Sequence, residues 1–161
     1  MSGLVKLKQL AQSGASTGQV ATFDGTNWVP ETPATSGGAV LNWGAGSVSS
    51  TTTTRYLTPG YEAALAPTTQ RDYPLPRAGT VKNLFVHHDV PAGNGNDIVY
   101  TVRKNGVATA LVATLASTGS QTSNLVDTVA FAAGDQIDIE VTKAASIGAS
   151  PSDVMCSVEF V

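Results

Sequence analysis

The sequence predicts an all-β fold: an antiparallel jelly-roll sandwich of about eight strands, preceded by a small N-terminal β-hairpin or arm. Three observations predict it. From Arg77 to Val161, short apolar and polar alternations recur between turn signals and end in Val154-Met-Cys-Ser-Val-Glu-Phe-Val161. Period-two alternation sends one set of side chains to a buried face and the other to a solvated one. Charged residues make up only 13% of the chain against 16 glycines, a composition that favours strands and tight turns over solvated helices. Finally, Asn105-Gly106 stands between two alternating runs, and such a pair supplies the positive φ that a two-residue hairpin turn requires.

Taken in order, Gln19-Val-Ala-Thr-Phe23 and Trp28-Val-Pro30 flank Asp24-Gly25-Thr26-Asn27 and read as a hairpin with a type I′ turn. Arg55-Tyr-Leu-Thr58 and Asp72-Tyr-Pro-Leu75 read as short edge strands, because Pro74 and Pro76 cannot donate to a central ladder. Between them, Pro59 to Gln70 is expected to contain a turn of helix. Thr80 to His88 follows, then the turn Pro91 to Asn96, then a hairpin of Asp97–Lys104 with Val107–Ala116. Ser123 to Phe131, the turn Ala132 to Asp135, Gln136 to Thr142, a loop from Ala144 to Pro151 and a last strand from Asp153 complete the count. In Gln136 to Thr142, Ile137, Ile139 and Val141 are expected to face inward while Asp138 and Glu140 face water. Periodicity alone does not separate a sandwich from a barrel, but two sheets fit the spacing better.

Three zones follow from composition. Residues 1–33 form an attachment segment with apolar anchors Leu4, Val5, Leu7, Leu10, Phe23 and Trp28; a single hairpin this small must lean on another surface. Leu4, Leu7 and Leu10 suit either one face of a short helical turn or an extended insertion into a partner's groove. Residues 34–54, small and polar and ending in a Ser/Thr run, read as an extended linker. Trp43 inside it either packs on a neighbouring surface or joins the attachment set. Residues 55–161 form the sandwich, which at this length holds one core.

Several function classes are disfavoured. The net charge is −3 with nine scattered Lys and Arg, whereas binding to nucleic acid draws on clustered cations. Lys6 with Lys8, and Arg103 with Lys104, are read as solvated rims. No run approaches the roughly 20 apolar residues of a membrane span, and no signal peptide is recognised. Cys156 is the single cysteine, expected to be buried and inert.

The stretches Ala78 to Val86, Tyr100-Thr-Val-Arg-Lys-Asn-Gly-Val-Ala-Thr-Ala-Leu111, Val129 to Val141 with its Ala-Ala-Gly-Asp-Gln-Ile-Asp-Ile-Glu-Val run, and Ser157 to Phe160 resemble the jelly-roll heads that end phage and bacterial surface fibres. Those heads are similar to tumour necrosis factor and complement-type globular heads, and the resemblance implies a homotrimer. Leu7 to Pro30, with Thr17-Gly-Gln-Val20 and Trp28-Val-Pro30, is similar to a short repeat of phage tail-fibre and virion-appendage proteins, present here in one copy and with Phe23 at the first aromatic position. One copy joined to one head implies a short capsid appendage, a decoration or head-fibre protein on the virion surface, assembled in the host cytoplasm. The expected partner is the major capsid protein or another virion protein. The alternative is a tail-fibre or receptor-binding tip recognising a host surface glycan.

Candidate sites are few. Adjacent His87 and His88 point to opposite faces and cannot chelate one ion within one chain. Asn94, Asn96 and Asp97 offer oxygens, but without the carboxylate density of a calcium loop. Together with Ser146 and Ser150 they are candidate ligand-loop residues. No nucleophile elbow frames any Ser, so neither catalysis, metal nor cofactor is expected.

Overall fold

The computed structural model describes residues 16–31, 38–93 and 95–161, and the chain divides into two compact units, 1–37 and 38–161. Leu4, Val5, Leu7, Leu10 and Asn94 lie outside the described residues.

The first unit contains β1 (Val20–Phe23) and β2 (Trp28–Glu31), an antiparallel pair in which Phe23 is opposite Trp28. The turn differs from type I′: φ is positive at Gly25 and not at Thr26. Asp24 Oδ1 accepts the amides of Thr26 (2.8 Å) and Asn27 (2.7 Å), so the aspartate side chain does part of the turn's hydrogen bonding.

The second unit is an all-β sandwich. Its strands are β3 (Ala39–Ser47), β4 (Arg55–Tyr56), β5 (Thr58–Pro59), β6 (Tyr73–Pro74), β7 (Gly79–His87), β8 (Ile98–Lys104), β9 (Val107–Leu115), β10 (Gln121–Phe131), β11 (Gln136–Lys143) and β12 (Ser152–Phe160). One sheet runs β10-β7-β12-β3-β5 and the other β4-β11-β8-β9, with β6 also pairing β11 and every strand pair antiparallel. The order is that of a jelly roll: sequence neighbours β11 and β12 lie in different sheets, as do β7 and β8. The sandwich has more strands than the expected eight because Arg55–Thr58 splits into β4 and β5, which pair with different sheets, and because β3 lies in a stretch read as linker. Pro59–Gln70 forms bends and a bridge from Leu65 to Ser47, without a helix.

Inward side chains of the two sheets meet in one core. Leu84, Val86 and Val154 face Tyr100, Ile137 and Ile139 from the opposite layer, all essentially inaccessible to solvent. At the Asn105-Gly106 hairpin both residues take positive φ, 50° and 78°, as a two-residue turn of the type I′ hand demands. Asn105 Oδ1 accepts the Gln136 amide at 2.8 Å and its Nδ2 donates to Asp135 at 2.8 Å, which ties the turn to β11. Asn83 (φ 54°) is a bulge in β7. A two-residue step in β12, from Ser157 to Glu159, is matched by a three-residue step in β7, from Phe85 to Lys82. The bulge lets Val81, Leu84 and Val86 all reach the core.

Three sequence expectations are corrected here. Ala39–Ser47 is not linker: it is β3, paired along its length with β12, and Trp43 is 1% exposed in the core. The segment looks linker-like because its glycines answer to close packing. A Cβ on Gly46 would meet the backbone of Ala63 at 2.7 Å. Residues 60–75 form a strap that crosses here and closes the side of the sandwich. Gly46 N donates to Glu62 O (2.7 Å), Ala66 N to Ser47 O (2.8 Å) and Tyr61 OH to Asp153 (2.6 Å). The second correction is Asp138, which is buried at 0% exposure, with Glu140 half-buried beside it. Alternation told which face they occupy; it could not tell that the strap covers that face. Arg103, read as a solvated rim, is buried with them.

Candidate interaction surfaces

Three surfaces and one buried cluster carry the polar and apolar groups that are candidates for function. On the first unit, Phe23 and Trp28 stack at 5.4 Å between ring centroids and remain 53% and 55% exposed. A two-stranded sheet has no second layer beneath which to hide such rings.

On the sandwich, the outer face of β7, β12 and β3 is a second surface. Phe85, Met155 and Val40 are exposed there among small residues, Phe85 lying between Ser123 and Ser157 in register. Asn42, His87, Gln121 and Met155 line a depression of about 560 Å³ around Phe85. The charged or titratable groups in the rows of this face are the Lys82–Glu159 pair at 3.6 Å, which Asn83 Nδ2 joins at 2.9 Å from Glu159, His87, which lies 3.8 Å from Asp89, and Asp153, which accepts Tyr61 OH.

The third surface is one end of the sandwich, where the two candidate ligand loops converge. Asn96 Nδ2 donates to Ser146 O at 2.9 Å, and Ala149 N donates to Ala92 O at 2.9 Å. Asp97 accepts the Ser117 amide at 3.2 Å, so the polar groups of both Asn96 and Asp97 hold loops together. Ser146 and Ser150 are exposed at this end. His87 and His88 diverge as strand geometry requires: His87 is exposed, while His88 is buried against Tyr100 OH. Burial pushes the His88 imidazole down to about 4 and keeps it neutral, and burial raises the Cys156 thiol.

The buried cluster was not foreseen from the sequence. Register places Arg103 of β8 opposite Asp138 of β11, and on the other side of β11 the pairs Gln136–Pro74 and Ile137–Tyr73 put Asp72 opposite the same residue. Arg103 Nε is 3.9 Å from Asp138, but its Nη1 is only 3.0 Å from Glu140, and its Nη2 donates to Gln70 (3.3 Å) and to Gly106 O. Tyr56 OH donates to Glu140 at 3.3 Å. Neither Asp138 oxygen receives a hydrogen bond from an N–H or O–H donor. Burial raises its pKa to about 6; the Arg103 charge opposes the rise, and Asp72 and Glu140 add to it. Among the described residues, no group of three or more His, Cys, Asp or Glu is arranged to hold a metal ion.

The arrangement offers surfaces for contact, and the carboxyl that burial raises, Asp138, is inaccessible to solvent. Comparison with known proteins gives no matching family model and no match among curated proteins.

Proposed function

We propose that this chain is a structural virion protein, a homotrimeric capsid decoration or head-fibre protein whose N-terminal segment docks on the particle and whose jelly roll projects outward. The observation that carries the reading is the exposed Phe23–Trp28 pair on a hairpin that has no second layer among the described residues. Covering about half of each ring removes roughly 200 Å² of apolar surface from water, on the order of 5 kcal/mol at 25 cal/mol/Å² before ordering costs. One such anchor is weak. Three anchors on one trimer act at an effective concentration of about millimolar and raise avidity by 10²-fold or more. Self-association is supported by the outer face of β7, β12 and β3, whose uncovered Phe85, Met155 and Val40 suit burial against another copy.

The convergence of loops 91–97 and 144–151 favours a second reading, a tail-borne tip that holds a host surface glycan at that end. One experiment separates the two. Particles lacking the protein are incubated with the full chain or with F23A/W28A, and bound protein is located by electron microscopy. The capsid reading expects threefold densities on the capsid, lost at least tenfold in occupancy with the double variant. Density confined to the tail, or unchanged occupancy of the variant on the capsid, contradicts it; tail density with glycan binding by residues 38–161 selects the second reading.

A further inference from the structure

We propose that Asp72 and Asp138 share a single proton and so form a latch, closed in mildly acidic solution and loosened as that proton leaves, that governs how firmly residues 60–75 cover the outer face of β11. The geometry is that of two carboxyls on neighbouring chain segments, each one position beyond the registered pair Ile137–Tyr73, one exposed and one fully buried. Like charges so placed repel. A proton held between them replaces the repulsion with a charge-assisted hydrogen bond.

Every charged group around Asp138 bears on this. From β8 comes Arg103, whose Nη1 lies closer to Glu140 (3.0 Å) than its Nε does to Asp138 (3.9 Å), so its charge is divided. From β11 itself comes Glu140, held by Tyr56 of β4. From the strap comes Asp72, whose carboxylate accepts Gln70 Nε2, while Gln70 Oε1 in turn accepts Arg103. One cation thus faces three carboxyls, and the carboxyl with no other donor is the buried one. A pKa near 6 for Asp138, raised first by burial and further by Asp72, agrees with a proton retained there.

The sign follows from linkage. A carboxyl whose folded pKa lies above its unfolded value near 4 adds stability that is complete below about pH 4 and lost as pH rises through about 6. Acid therefore tightens the strap. The difference between those two values sets a ceiling of roughly 10²-fold on the change in strap opening.

Hydrogen exchange of the full chain at pH 5 and pH 8, expressed as protection factors, reads the latch at strap-dependent amides such as Gly46, bonded to Glu62, and Leu75, bonded to Asp135. Protection there is expected to fall by about tenfold from pH 5 to pH 8, since part of the stabilisation is already lost at pH 5, with amides of β12 unchanged. In D138N the fall is expected to disappear, and in D72N, a substitution at an exposed position, to be clearly smaller than in the wild type, because burial of Asp138 remains. A flat wild-type profile, or an equal fall in D72N, overturns the proposal even if D138N does not fold. None of these outcomes depends on where the protein is attached.

Discussion

Trp43 is the largest fully buried side chain of the sandwich, and it sits in a stretch whose composition reads as linker. Its indole lies edge-on to Tyr73, 6.3 Å between centroids, so one residue bridges β3 and the strap. Replacing it with Ala removes a large buried ring and leaves a cavity that close-packed neighbours fill only in part, which costs about 3–5 kcal/mol. Urea denaturation of W43A is expected to show that loss; a change below about 0.5 kcal/mol would mean that the ring is not in the core. Asp138 teaches the same lesson from the polar side. Its place in an alternating strand gave its face correctly, and the consequence of that face, burial beside Asp72 and Arg103, depended on a segment more than sixty positions away in the chain.

At the scale of elements, the strands from β7 onward were legible because each combines period-two hydropathy with local turn chemistry. Asn105-Gly106 is the clearest example, its two positive φ values following from residue type. Strand pairings that join distant segments were not legible. β3 pairs with β12 across more than a hundred residues, and its small residues, Gly44, Ala45 and Gly46, mimic the composition of a flexible arm while answering to tight contacts. The bulge at Asn83 was equally silent, since a single Asn between Lys82 and Leu84 carries no pattern of its own. The candidate surfaces divide likewise. Phe23 and Trp28 were found as apolar residues beside a turn, whereas Phe85 emerged as exposed only once the bulge had set the parity of its strand. The strap contact gives the element-scale prediction. A methyl group on Gly46 meets Ala63 backbone, which cannot rotate away, so G46A is expected to cost about 1–3 kcal/mol in thermal or chemical unfolding. A true linker glycine changed to Ala would stabilise the chain slightly or leave it unchanged.

For the molecule as a whole, the chain divides into units 1–37 and 38–161 that differ in what they bury. The second unit has a complete core and a sheet face with uncovered Phe85, Met155 and Val40; the first has an aromatic pair and no core among its described residues. On the proposed function, self-assembly belongs to the sandwich and attachment to the hairpin segment. Solution mass by sedimentation equilibrium tests this most directly, on the full chain and on the fragments 38–161 and 55–161. Three chain masses are expected for both the full chain and 38–161, with 55–161 unfolded because it lacks β3. A monomeric 38–161, or a folded trimer of 55–161, would contradict the account.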